Sequence, residues 1–307
     1  MKALRLHSLD GPDAFAYEDA PAPNPGPGEV LIRVRAAAVT PTELFWYPTA
    51  HTPAGAARPL PVILGHEFSG VVAGLGPAVT GLTEGDEVFG LNDWFADGAQ
   101  AEYCVARPDD LAPKPRSIDH AQAAAAPISA LTAWQGLIER ARVSVGERVL
   151  VHGAAGGVGA FAVQLAHDRG AYVIGTASAR NRDVVRELGA DTVIDYRATR
   201  FEEVVKDADI VFDTVGGETL QRSWKVLKPG GRMVTIAVQS ETAADAATKA
   251  AFFIVQPNRE QLTEIGRLFD AGRFRSLVDA ALPLAQGRDA YRRKPLRGKI
   301  VLEVAEK

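Results

Sequence analysis

The chain has 307 residues, 47% of them hydrophobic, with 34 Lys and Arg against 38 Asp and Glu for a formal net charge of −4. That is enough apolar material for a sizeable core, and the length favours two domains over one. The acidic balance offers no basic field for a phosphate backbone, which argues against nucleic-acid binding. A single cysteine, Cys104, excludes an internal disulfide framework and a Cys-rich zinc lobe within one chain. A reducing cytoplasm is the simplest home, and Met1 to Leu9 lacks the apolar core of an export signal. The most apolar window, residues 121–138, is mostly alanine interrupted by Gln122, Pro127, Ser129, Thr132 and Gln135. It falls short of the roughly 20 strongly apolar residues of a membrane span.

The first third is rich in short β-like runs separated by Gly and Pro: residues 30–34, 70–73, 86–89 and 101–105. They predict a small antiparallel, barrel-like domain over residues 1–118, with the Pro-rich stretch 21–28 as a stiff connection. From Gly146 the rhythm changes to apolar strand, helix, apolar strand, helix, which predicts βαβ units and a parallel sheet within a domain of residues 119–272. Strands are expected at 148–152, 172–176, 192–195, 210–213 and 232–236, with helices at 158–168, 182–188, 201–206 and 219–227. The turn Lys228-Pro229-Gly230-Gly231 is expected to end the last of these helices. A further strand at 252–255 and a helix at 259–271 would finish the sheet. Residues 241–251 read as a loop or short helix, and the tail, 273–307, as strands rejoining the first domain.

The strongest motif is Val149-Leu150-Val151-His152-Gly153-Ala154-Ala155-Gly156-Gly157-Val158-Gly159, a strand, a glycine-rich turn and the start of a helix. Apolar residues at 158, 161, 162 and 165 share one helical face, so the helix can pack on the sheet with its N-terminus at the turn. Its free N–H groups and positive dipole end attract a pyrophosphate. Ala154, Gly156 and Gly159 occupy the three positions of GxGxxG, where Gly156 lets phosphate approach the backbone and Gly159 lets helix and strand pack closely. Gly157 and Val158 lie within the same turn. His152 closes the strand and is read as packing.

A site for NAD places Asp or Glu about 20 residues further on, to bind the ribose hydroxyls. Here that stretch is Thr176-Ala177-Ser178-Ala179-Arg180-Asn181, with no acid. Ser178 can hydrogen-bond a 2′-phosphate and Arg180 can meet its charge with a fork of donors. The expected cofactor is NADPH rather than NADH.

Several further segments carry a resemblance. Residues 65–72 (GHEFSGVV), 85–90 (GDEVFG), 131–134 (LTAW), 154–159, 213–217 (DTVGG), 228–231 (KPGG) and 297–302 (RGKIVL) follow one another in this order. Over essentially its whole length the chain resembles the medium-chain dehydrogenase/reductase superfamily, in the zinc-free quinone oxidoreductase and enone reductase branch. The resemblance implies an α/β protein: a GroES-like β-barrel substrate domain, a Rossmann doubly wound parallel sheet, and a cofactor held in the cleft between them. It also implies a homodimer formed by extending the Rossmann sheets edge to edge.

Zinc-dependent relatives use a Cys, a His and a second Cys, and His66-Glu67 resembles their His-Glu pair. The two Cys positions fall near Thr40 and Ser129, so both soft ligands are missing and no metal is expected. His66 reads as a structural residue of the cleft. A simple carbonyl needs a Lewis acid as hydride arrives, whereas an enone or quinone spreads the charge over its conjugated system. The expected substrate is therefore a small conjugated carbonyl or quinone.

By resemblance to the family's cofactor cleft, Thr132, Val215-Gly216 and Phe252-Phe253-Ile254 set the nicotinamide face, positioning it rather than reacting, with plain packing an equal reading for Thr132. Thr40 stands where quinone reductases often carry Asn and is assigned to the cofactor site. Glu43 replaces the usual Asp, and capping of its own loop is an equal reading. Tyr196 follows Val193-Ile194-Asp195 and resembles the family's Asp-Tyr pair at the adenine end; closing the strand is its other reading. Tyr47, in the run Phe45-Trp46-Tyr47, is the candidate acid for proton delivery, against lining an apolar pocket or delivery by water. Two other functions remain open: a non-catalytic NADPH-binding protein of the same fold, and a zinc-free aldehyde or alcohol reductase.

Overall fold

Ten consecutive residues, Val30–Val39, form the longest strand of the protein, and their pattern explains its place. Val30, Ile32 and Val34 are buried while Arg33 is exposed, as period-two alternation requires of a sheet with one wet face. Ala36, Ala37 and Ala38 are then buried in succession, because here both faces are covered. Ala124, Ala125 and Val301 pack against Ala36 and Ala38. Part of the alanine-rich window at 121–138 is thus the small-residue lining of a core. Among the described residues no helix is long and apolar enough to cross a membrane.

The computed structural model describes residues 1–305. The chain folds as two units, one of residues 1–128 and 257–307, the other of residues 129–256. The last two residues of the 273–307 segment lie outside the described residues.

In the first unit a seven-stranded sheet runs in the order Val278–Pro283, Lys299–Glu303, Val30–Val39, Glu67–Leu75, Glu87–Leu91, Leu111–Pro113, with Tyr103–Ala106 also paired to Val30–Val39. A smaller sheet joins Phe15–Asp19, Lys2–Leu6 and Val62–Ile63. Pairing is antiparallel except between Val278–Pro283 and Lys299–Glu303. The chain's tail thus returns to this unit, with Ile300 opposite Val39. Leu4, Leu6, Phe15, Ile32, Phe68 and Leu302 share its core.

The second unit holds five parallel strands in the order Thr192–Asp195, Tyr172–Ala177, Arg148–Val151, Ala208–Asp213, Leu227–Thr235. Its central strands are continuous apolar runs because helices cover both faces of such a sheet. The strand order reverses beside Arg148–Val151, and ligands of open α/β sheets sit at the carboxyl end of the strands at that reversal. The glycine-rich turn leaves the sheet there. Helix Gly157–Asp168 follows with residues 159–166 all buried. A helix of 12 residues is marginal alone in water, so its packing on the sheet is what stabilises it.

Three expectations differ from the fold. Lys228–Gly231 forms no free turn: the helix Gly217–Ser223 tightens into a 3-10 turn that ends at Val226, and residues 228–231 lie inside strand Leu227–Thr235, where a register shift against Ala208–Ile210 absorbs them. Residues 252–255 add no strand; Phe252 makes one bridge to Thr235. The Gln135 side chain instead takes both backbone groups of Gln256, donating to its carbonyl at 2.7 Å and accepting from its N–H at 3.0 Å. Helix Arg259–Asp270 belongs to the first unit, not to the parallel sheet. Asn258 caps it by accepting from Gln261 N–H at 2.9 Å, and Gly266 faces Pro115 and Phe89 of the first unit. The observed boundaries, 128/129 and 256/257, replace 118/119 and 272/273 for this reason and because helix His120–Ala124 packs on the first unit's sheet.

Candidate dinucleotide site and polar cluster

In the second unit the strand Arg148–Val151 runs into Gly153, whose φ of +68° favours glycine. The Ala154 N–H donates to Thr176 O at 3.0 Å, fixing the turn to the next strand. Gly156 is the N-cap of helix Gly157–Asp168, leaving the amides of Gly157, Val158 and Gly159 in the first turn without intrahelical acceptors. A Cβ at Gly159 would lie 2.1 Å from Gly153 O, so glycine here lets the helix close on the turn itself. Ala154 is fully buried beneath it. A pyrophosphate fits this arrangement of free donors at a helix N-terminus.

Ser178 follows the neighbouring strand and is buried; its carbonyl accepts from Asn181 N–H at 2.9 Å, opening the short turn that exposes Arg180. Tyr196 follows the edge strand, exposed, with its N–H directed to Ala177 O at 3.3 Å and the Arg197 guanidinium 5.6 Å from its ring centre. Because Ala177 pairs with Asp195, Ser178 and Tyr196 emerge from adjacent strand ends. Arg197, which the sequence reading passed over, adds a second guanidinium to that corner.

The segment Val215-Gly216 is shaped by Asp213, a fully buried carboxylate. It accepts from Val215 N–H at 3.1 Å, Gly216 N–H at 3.0 Å and Thr235 Oγ1 at 2.9 Å. Burial pushes its carboxyl above the usual range, and those bonds oppose the rise. Val215 and Ile254 are exposed, whereas Phe253 is buried under the Arg140 guanidinium, 4.8 Å from its ring centre. Thr132 is buried in the same unit.

Thr40 and Tyr47 belong to the first unit, where a second set of polar side chains gathers. The Thr40 hydroxyl donates to Glu67 Oε1 at 3.2 Å and accepts from Lys299 Nζ at 3.1 Å. Lys299 is itself in ion-pair contact with Glu67 Oε1, and Glu67 Oε2 accepts from Ile128 N–H at 3.0 Å. Burial pulls the Lys299 ammonium below its usual value, and the charge of Glu43 acts the other way. Glu43, fully buried, accepts from Gly65 N–H at 2.7 Å and faces His66 Nδ1 at 3.3 Å. It therefore holds the Gly65-His66 corner rather than only its own loop. Tyr47 is 55% exposed and stacks on His51, ring centres 4.3 Å apart.

A catalytic zinc needs three protein ligands with imidazole, thiolate or carboxylate donors. His66 already has Nδ1 toward Glu43 and Nε2 toward Ala96 O at 3.4 Å, and Thr40 offers a hydroxyl engaged by Glu67 and Lys299. This donor set does not fit zinc. Among the described residues no three His, Cys, Asp or Glu side chains form a group able to hold a metal ion.

Residues 26–116 match the alcohol dehydrogenase GroES-like domain family, and residues 188–302 match a family described as zinc-binding dehydrogenase. The solved quinone oxidoreductase from Coxiella burnetii superposes with a TM-score of 0.91, at 31% identity, over 99% of each chain. The chain belongs to the medium-chain dehydrogenase/reductase superfamily, in its quinone and enone reductase branch. It is an oxidoreductase fold with a GroES-like unit and a Rossmann-like parallel sheet. Among curated relatives, a 2-methylene-furan-3-one reductase of Solanum lycopersicum is 37% identical over 237 residues, 74% of this chain. An NADPH-dependent alkenal/one oxidoreductase of Arabidopsis thaliana is 37% identical over 244 residues, 76% of this chain. The chain spans 58% and 61% of the length of these two relatives.

The glycine turn, Ser178 and Val215 were legible as motifs. Asp213, Glu67 and Lys299 sat inside quoted motifs, yet their partners lie far along the chain and leave no local signal.

Proposed function

We propose that this medium-chain reductase binds NADPH and transfers hydride, without zinc, to a small quinone or α,β-unsaturated carbonyl. The observation that carries the reading is the polar cluster of the first unit: where metal-dependent relatives would present a thiolate, Thr40 presents a hydroxyl bonded to Glu67, and His66 is engaged by Glu43 and Ala96. Without a Lewis acid, an acceptor that delocalises its own developing charge is the chemically accessible one. Bound NADPH would supply the hydride. Ser178 and Arg180 would hold its 2′-phosphate, with Tyr196 beside them, and the first-turn amides of Gly157–Gly159 its pyrophosphate. Val215, Phe253, Ile254 and Thr132 would position the nicotinamide, and the family's pattern assigns Thr40 to the cofactor as well. The proton would come from Tyr47 or from water.

The relatives named as acting on alkenals, enones and a furanone support a conjugated substrate, and the NADPH named for one of them supports the cofactor. The decisive experiment is cofactor oxidation with a panel of quinones, enones and plain aldehydes, alongside elemental analysis. Turnover of conjugated acceptors by metal-free protein is expected. A bare aldehyde outperforming every conjugated acceptor, stoichiometric zinc, or cofactor binding with no turnover on any acceptor would overturn the reading. Cytoplasmic residence and a homodimer built through the edges of the parallel sheets complete the proposal.

A further inference from the structure

His152 follows strand Arg148–Val151 at the start of the glycine turn and is almost wholly buried, yet its ring is fully engaged by polar partners. Nδ1 lies 3.1 Å from Thr176 Oγ1 and Nε2 lies 2.9 Å from Ser223 Oγ. The proton positions follow from counting donors. Ser223 has one hydroxyl proton and donates it to Thr219 O at 2.7 Å, so toward His152 it can only accept. Nε2 must therefore carry the ring proton. A neutral imidazole then leaves Nδ1 as an acceptor, filled by the Thr176 hydroxyl. Burial, with the Arg222 guanidinium nearby, pushes the imidazole pKa down to about 3, which agrees with a neutral ring.

The chain of bonds does not stop at Thr176. Its Oγ1 faces Gly153 N–H at 3.4 Å, and its carbonyl holds Ala154 N–H at 3.0 Å. At the other side, the His152 carbonyl accepts from Thr214 Oγ1 at 2.8 Å, one residue before Val215. One imidazole and its own peptide thus tie together the first two amides of the glycine turn, the strand that leads to Ser178, and both ends of the segment from Thr214 to Ser223. A core aromatic of similar size would fill the space and keep the bond to the His152 carbonyl, but it would lose both ring bonds, to Thr176 and to Ser223.

We infer that His152 is a positioning residue for the dinucleotide, its ring acting through Thr176 and Ser223 to set the glycine turn against the two neighbouring cofactor-binding segments. The inference rests on the NADPH reading above. The turn serves the pyrophosphate common to both nicotinamide dinucleotides, so loosening it must weaken NADPH and NADH alike. This separates it from a defect at the 2′-phosphate corner, which would weaken NADPH alone.

The test measures dissociation constants of NADPH and NADH by titration of the intrinsic fluorescence for three variants of the full chain. His152→Leu is expected to weaken both dinucleotides by about tenfold, the equivalent of a lost buried hydrogen bond or two. His152→Gln, whose carbonyl can accept from Thr176 and whose amide can donate to Ser223, is expected to restore binding to within about threefold of the parent. Val205→Ala, a buried change elsewhere in the same core, serves as the control for stability and is expected to lower the melting temperature without altering either constant. Parent-like binding by His152→Leu, an effect on NADPH alone, or equal weakening by Val205→Ala would overturn the inference. If the parent protein binds neither dinucleotide, the cofactor reading itself fails, and that result is distinct from the other three.

Discussion

Lys299 and Glu67, 232 residues apart in the chain, form an ion pair inside the first unit, with Thr40 bonded to both. Their strands are not neighbours: Lys299–Glu303 and Glu67–Leu75 lie on either side of Val30–Val39. The pair bridges that central strand at its end, with Thr40 the next residue after Val39. Two buried charges in contact cost little relative to an apolar pair, but removing one partner leaves the other without compensation. Lys299→Met is therefore expected to lower the stability of the first unit by roughly 3–5 kcal/mol. Adding Glu67→Gln to it is expected to recover more than half of the loss. Denaturant unfolding of the parent and both variants, followed by tryptophan fluorescence, checks this, and a double variant no better than the single one would mean that the pair is not coupled.

His152 gives the second unit a defined response to acid. In an unfolded chain its imidazole takes up a proton near pH 6.5, whereas in the folded unit it does so only near 3. Between those values the unfolded state binds a proton that the folded state does not, so stability falls as pH is lowered through this window. The slope from this one group is about 1.4 kcal/mol per pH unit, and above pH 6.5 its contribution is flat. Unfolding free energies of the parent and of His152→Gln, compared from pH 7 to pH 4, are expected to diverge in slope by that amount. Parallel curves would show that the ring is not held neutral.

The glycine turn makes an ordered prediction. A methyl group at Gly159 would meet Gly153 O at 2.1 Å, whereas at Gly156 it would meet the same atom at 3.2 Å. The first is a backbone collision that separates helix from turn; the second asks for a shift of a few tenths of an ångström. Gly159→Ala is expected to abolish measurable dinucleotide binding, and Gly156→Ala to weaken it less. Calorimetric titration of both variants ranks them, and the reverse order would point to Gly156 as the atom-to-atom contact with phosphate.

Cofactor choice is expected to reside at the end of strand Tyr172–Ala177. Ser178 is buried in the turn and Arg180 is exposed beside it, with no carboxylate between Thr176 and Asn181 to favour a free ribose hydroxyl. A charge-assisted bond is worth roughly 1.5–3 kcal/mol. Arg180→Ala is accordingly expected to cost about ten- to a hundredfold in kcat/KM with NADPH and little with NADH. Steady-state kinetics with both cofactors decide it: equal losses would remove Arg180 from the 2′-phosphate site and leave Arg197 as the cation to test.

Much of this second unit could be read from its sequence because buried parallel strands are short continuous apolar runs, and Gly153, Gly170 and Gly189 punctuate them. The helix at 259–270 shows the limit of such reading. Its apolar stripe of Leu262, Ile265 and Phe269 says that it covers a hydrophobic face, but amphipathicity does not say which. The same holds for the polar groups. Asp213 and Lys299 each sit in a recognisable motif, while their partners Thr235 and Glu67 are set by sheet register, which no local periodicity encodes. His152 looked like the end of a strand because nothing near it in sequence reveals Ser223.

Tyr47 tests where the proton comes from. Its ring is stacked on His51 with an interplanar angle of 8°, and its hydroxyl lies 3.4 Å from where a Cβ at Gly55 would stand. The phenol is thus held by its neighbours while its side chain stays open to solvent. If it delivers the proton after hydride transfer, Tyr47→Phe removes the only acidic hydrogen of that side chain and keeps its stacking. The expected result is a fall in kcat of about a hundredfold, the lower end of what a positioned general acid contributes, with little change in KM. Single-turnover oxidation of the cofactor with an enone, run in parallel for both proteins, separates the hydride step from the steps that follow. An unchanged rate in the Phe variant would assign the proton to water and leave Tyr47 as a wall of the substrate site.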